Sequence, residues 1–318
     1  MVGAYNENRE IEIDLNGKIL GYRLCPSTTP DDKRDSGYRL KMTVKNGQIG
    51  TNNGKNESNV NLYYGFNLQG NGIDLVLNNV KAISYYGGLY ANGRWNGNTI
   101  NATSCEFLAV GVYQSNGDGG TNGAYLPGKN TYNFTNCTFA GEVGVYVKSG
   151  DTVFTNCTIK STCDKYLVPL YNGNGSDGYG SALIIDSTKG YQTPMTVKII
   201  GGTVTSISGY AVEEVSNAKT EAEKICYSTT TISSTTVLSG KLGRVYSENG
   251  TVTVEDENGV KAAYASTAAG VAKAMAKGGT IVLTKDLIGS GEGDSNTCIG
   301  VRAADGDVEI VLDLNGKR

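Results

Sequence analysis

Acidic side chains recur in one sequence context, after short glycine-led apolar runs: Asp118, Asp151, Asp186, Glu213 and Glu214. Two carboxylates held roughly 5–10 Å apart can serve as general acid and as base or nucleophile at a glycosidic bond. Lys148, Lys165 and Lys189 are the nearest basic residues. A lysine base beside carboxylate-bound calcium would support β-elimination instead. The chain has no histidine, which excludes Ser-His-Asp and Cys-His catalysis and any histidine-ligated metal. If the chain is catalytic, Asp151, Asp186 and Glu213 are the candidate residues, and they must be held by some repeating scaffold.

That scaffold shows in a duplicated pentapeptide, Phe-Thr-Asn-Cys-Thr, at 134–138 and 154–158. The wider template is apolar, any, turn-compatible, small, any, apolar. It also fits Val44–Ile49, Leu77–Ala82, Ala102–Phe107, Ile199–Val204 and Ile232–Val237. Starts are 33, 25, 32, 20, 45 and 33 residues apart, so a constant unit carries loops of variable length. Strand side chains alternate in and out, so Phe134 and Cys137 cannot both face inward on a straight strand. A one-residue bend at Asn136 resolves the conflict, because Asn tolerates left-handed backbone. Asn46, Asn79, Ser104, Asn156, Gly201 and Ser234 hold that place in the other copies.

A glycine and an alternating apolar run follow each copy: Gly65–Leu68, Gly88–Ala91, Gly111–Tyr113, Gly144–Val147, Gly180–Ile184 and Gly209–Val212. This predicts a third strand per coil, and hence an all-β, right-handed, single-stranded parallel β-helix with three strands per coil. Each coil then bonds only to its neighbours. The outward residue of the third strand reads Asn67, Tyr90, Tyr113, Tyr146 and Leu183. Tyr90, Tyr113 and Tyr146 are therefore expected as an exposed row, with no acid in it. Exposed aromatic faces suit the apolar C–H faces of sugar rings. Stacked tyrosines also stabilise a sheet by themselves. Long insertions on both sides of this strand predict a cleft.

The phrases Asp-Leu-Asn-Gly-Lys and Asn-Cys-Thr-Phe and the coil pattern resemble the pectin-lyase-like β-helix superfamily. They are especially similar to repeat-rich, adhesin-like surface proteins of Gram-positive gut bacteria. The resemblance implies an extracellular or cell-surface location and a polysaccharide or host glycan as partner, bound on the tyrosine face. It leaves three roles open: non-catalytic adhesion, polysaccharide lyase or glycoside hydrolase activity in the same cleft, and a structural stalk.

Composition narrows the classes. A net charge of −3 and a pI near 5.3 lack the basic footprint of a nucleic-acid binder. No stretch is long and apolar enough to span a membrane, and no signal segment follows Met1. Seven cysteines without a CxxC pair point away from zinc. Cys105, Cys137 and Cys157 share one template position and should stack inside as free thiols. No metal site is expected among motifs, although loop carboxylates and carbonyls offer calcium ligands.

The β-helix body is expected over 1–261. Over 262–318, Ser266-Thr267 should cap a helix at 268–277, ended by Gly278-Gly279 and followed by a strand at 280–284. Glu-Ile-Val-Leu-Asp-Leu-Asn-Gly-Lys at 309–317 then repeats residues 10–18 at seven of nine positions. Two readings fit: a cap of its own barrel end, or the start of a next tandem unit. The second implies head-to-tail self-association through the open first rung.

Overall fold

The computed structural model describes all residues except 1, 30–34, 57, 113–119, 171–177, 188–190, 192, 219, 277, 289–308 and 318. The fold is all-β and parallel β-helix-like, built from long parallel sheets, with one α-helix among the described residues. Parallel pairings run in three series. In the first, Thr131–Thr135 lies between Thr99–Thr103 and Gly150–Thr155. In the second, Thr138–Gly141 lies between Glu106–Ala109 and Thr158–Ser161. In the third, Val143–Val147 lies between Asn122–Leu126 and Leu183–Asp186.

The first two series meet at the predicted bend. Asn46, Asn79, Ser104, Asn136 and Asn156 have φ of 56°, 54°, 53°, 53° and 51°, and Gly201 has 66°. Ser234 departs from this set. It has no left-handed φ, and the turn spreads over Ser233 to Thr236, where Thr236 N–H bonds the Ser233 carbonyl at 2.9 Å. The bends let Phe134, Cys137 and Phe139 all face one core, where they are buried. Phe134 stacks on Phe154 at 5.4 Å and Phe107 on Phe139 at 5.2 Å between ring centroids. Cys105, Cys137 and Cys157 are buried free thiols in the same core. Cys298 lies outside the described residues.

The C-terminal segment changes direction. Gly259–Ala265 pairs antiparallel with Val252–Asp256, then Gly279–Leu283 and Ile310–Asp313 follow in parallel. The sheet has two different faces here. Tyr264 packs on the main core, whereas Ala263 and Ala265 join Val271, Ala274, Met275, Ile281 and Leu283 in a separate cluster. The helix Ala268–Met275 covers that second cluster, N-capped by Thr267, whose side chain accepts from the Gly270 N–H at 3.0 Å.

Candidate functional site

The third series carries one outward side chain per rung. Register places Asn67, Tyr90, Tyr125, Tyr146, Ile184, Glu213 and Tyr246 in a single row. Their neighbours Ala124, Val145, Leu183, Val212 and Val245 point into the core. Three expectations change. The strand of the Tyr113 rung is Asn122–Leu126, so the row residue is Tyr125; Tyr113 lies outside the described residues. Leu183 faces inward and Ile184 outward, because the alternation starts one residue later than read, and a one-residue slip exchanges the faces. The row does contain an acid, Glu213.

The row is not an open platform. Tyr125 is 2% exposed and Tyr146 0%, packed with Val143 and Ile184 and flanked by Tyr90 and Tyr179. Tyr90 is half-buried and stacks on Tyr125 at 5.0 Å. The cover comes from inserted segments. Tyr166 and Tyr179 belong to the insertion between Thr158–Ser161 and Leu183–Asp186. Tyr191 belongs to the next connection and lies within reach of Lys148 (5.8 Å from the ring centroid).

Beneath this cover sits a cluster of ionisable groups. Asp186 is fully buried, accepts from Tyr146 Oη at 2.8 Å and pairs with Lys148 Nζ at 3.2 Å. Lys148 is itself 1% exposed and lies 5.2 Å from the Tyr146 ring centroid. Glu213, one strand further on, accepts from Tyr166 Oη at 2.5 Å and Ser181 Oγ at 2.6 Å. Burial pushes its pKa up to about 7, against the lowering effect of those two bonds, and the Asp186 charge adds to the rise. Glu214 points the other way, into the barrel interior. It accepts from Ser247 Oγ at 2.8 Å and from Asn249 Nδ2 at 2.6 Å, and burial raises its pKa. A carboxyl group titrating near neutrality beside a lysine–aspartate pair has acid–base character, but here it is sealed.

The other candidates lie elsewhere. Asp151 is exposed on Gly150–Thr155 in the first series and accepts from Thr196 Oγ1 at 2.5 Å. The fold therefore joins Asp186 and Glu213 on neighbouring strands and leaves Asp151 on a different sheet. Asp118 and Lys189 lie outside the described residues. Among the described residues no group of three or more Cys, Asp or Glu is placed to hold a metal ion.

An open groove of about 570 Å³ crosses the second series instead. Glu106, Leu108, Thr138, Ala140 and Lys160 lie along it, in register from strand to strand. Val110–Val112 and Thr162–Lys165 line its sides. At the first side the Gly111 N–H donates to the Tyr85 carbonyl at 2.9 Å. Tyr85 lies edge-on to Tyr86 at 4.9 Å, and Tyr86 stacks on Tyr63 at 4.8 Å. Tyr63 is 56% exposed. Sequence reasoning missed this aromatic corner, although Tyr-Tyr-Gly occurs at both 63–65 and 85–87. The two copies lead into adjacent strands of the third series, Tyr64–Asn67 and Gly87–Tyr90, with Tyr64 opposite Gly87. No family model, curated protein or solved structure matches the chain.

Proposed function

We propose that the chain is a right-handed parallel β-helix with three strands per coil that binds a glycan without cleaving it, at the surface of a bacterial cell or secreted from it. The observation that supports this reading is the stacked Tyr63–Tyr86 pair, joined through Tyr85 to one side of an open, strand-crossing groove of mixed polar and apolar lining. Tyrosine faces take the apolar side of a sugar ring, while Glu106, Thr138 and Lys160 offer hydrogen-bond partners to its hydroxyls. The aromatic contact thus moves from the covered Tyr125–Tyr146 row to the exposed corner. A polysaccharide or host glycan fits the groove better than a compact ligand, because the groove is open and crosses successive strands.

A cleaving enzyme is the second reading, favoured by the Asp186–Lys148 pair and the near-neutral Glu213. Its difficulty is access, since both carboxylates are fully buried. A screen against plant, host and mucin polysaccharides, with product analysis of each hit, separates the two. Binding without cleavage, lost in Tyr63→Ala/Tyr86→Ala, supports the adhesive reading. Cleavage abolished by Glu213→Gln supports the enzyme. Absence of any binding would overturn both.

A further inference from the structure

The repeated phrase at the two ends folds the same way twice. Asn16 and Gly17 have φ of 48° and 74°; Asn315 and Gly316 have 48° and 70°. Asp14 Oδ1 accepts from the Asn16 N–H at 2.9 Å, and Asp313 Oδ1 from the Asn315 N–H at 2.8 Å. Lys18 N–H bonds the Leu15 carbonyl at 2.8 Å, and Lys317 N–H the Leu314 carbonyl at 2.7 Å.

The two copies differ in which edge is used. Arg9–Asp14 bonds Leu40–Ile49 through odd-numbered residues: Arg9 and Leu15 N–H donate to the Arg39 and Lys45 carbonyls. Its even-numbered edge (Glu10, Glu12, Asp14) has no strand partner among the described residues. In the C-terminal copy the Gly279 N–H donates to the Glu309 carbonyl at 3.0 Å. Glu309 corresponds to Glu10, with the offset of 299 residues. The edge that Ile310–Asp313 uses against Gly279–Leu283 is therefore the edge that Arg9–Asp14 leaves open.

We infer that a second copy of this chain docks by strand exchange: its Arg9–Asp14 takes the place of Ile310–Asp313 on Gly279–Leu283. The register carries over as Ile11 opposite Gly279, Glu12 opposite Thr280 and Ile13 opposite Ile281. Ile11, Ile13 and Leu15 fall where Ile310, Leu312 and Leu314 now stand. In one chain the first set packs on the main core. In the C-terminal copy, Leu312 and Leu314 are 41% and 50% exposed. The incoming copy brings a following rung with it, its own Leu40–Ile49. The second core under the helix Ala268–Met275 would then close the open end of the next body. Exchange of nearly identical strands costs little, because each bond lost is remade. Repetition of the step gives head-to-tail chains.

Sedimentation velocity on the full chain tests this with two variants. Glu12→Pro removes an N–H that faces the open edge and leaves the backbone bonds to Leu40–Ile49 intact, a position where an edge strand accepts proline; the exposed side-chain pair with Lys45 is lost with it. Deletion of 309–318 frees the acceptor edge. Wild type should grow in size with concentration, Glu12→Pro should remain monomeric over the same range, and the deletion should associate at concentrations about tenfold lower. A peptide of sequence 309–318 should reverse association of the deletion variant. A deletion variant that stays monomeric at submillimolar concentration overturns the proposal, as does association unaffected by Glu12→Pro.

Discussion

Tyr166 donates its hydroxyl to Oε1 of Glu213 at 2.5 Å, joining an inserted loop to a strand of the third series. The contact fixes the insertion over the outward row at the point where a carboxyl group titrates near neutrality. Burial raises the Tyr166 pKa as well, with the Glu213 charge adding to it. The tyrosine therefore remains the donor throughout the range in which Glu213 changes charge.

The buried Glu213 makes stability depend on pH. Its folded pKa is about 7, against 4.5 for the ordinary group. Between these values the folded chain holds a proton that the unfolded chain has released. Stability is therefore greatest below about pH 4.5 for this group and falls as pH rises toward 7. The full effect is on the order of 3 kcal/mol. Glu213→Gln should flatten this dependence and raise the thermal midpoint at pH 8, with little change at pH 5. A smaller slope of the same sign should persist, because burial also raises Glu214. Equal pH slopes for wild type and Glu213→Gln in thermal unfolding would refute the assignment.

The Lys148–Asp186 pair makes a different prediction. Both groups are out of water, so removal of one partner strands a buried charge. Lys148→Met or Asp186→Leu alone should cost about 3–5 kcal/mol, while the two together should cost far less. Denaturant unfolding of the two single variants and the double variant checks this. Additive losses would show that the two groups do not act as a pair.

The bend residues and the covered row show what the sequence carries and what it hides. The left-handed Asn46, Asn79, Asn136 and Asn156 follow from parity alone: two inward residues three apart need one residue to absorb the break. The helix Ala268–Met275 and its Thr267 cap follow from local signals of the same kind. Tyr125 was concealed because Gly111-Val112-Tyr113 and Gly123-Ala124-Tyr125 spell the same pattern, and only strand pairing chooses between them. Burial of Tyr146 was concealed because alternation gives the direction of a side chain but not what a loop lays over it. The Tyr166, Tyr179 and Tyr191 contacts come from insertions with no periodicity to read.

Asn136 tests the bend itself. An alanine there must hold φ of 53°, at a cost of about 1–2 kcal/mol, whereas glycine adopts it freely. Asn136→Ala should therefore destabilise by about that amount, Asn136→Gly by much less, and Asn136→Val more than either. The same order is expected at Asn156 and the reverse is excluded by the geometry. Indifference to all three in denaturant unfolding would mean that the bend relaxes without a left-handed residue.

Phe154 tests how the rungs share the core. Its ring stacks on Phe134 and meets Phe139 edge-on at 5.7 Å, and it is completely buried. Phe154→Ala should cost about 3–5 kcal/mol, because neighbouring rungs held by backbone ladders cannot collapse into the space. Phe154→Leu, which keeps most of the volume, should cost under about 2 kcal/mol. In a solenoid each rung interacts with its neighbours only, so the loss should fall first on the adjacent strands. Hydrogen exchange should accelerate at Thr131–Thr135 and Met195–Ile200, which pair with Gly150–Thr155 on either side, before it changes at Arg9–Asp14. Uniform acceleration along the whole chain would instead identify a single cooperative unit in which no rung opens by itself.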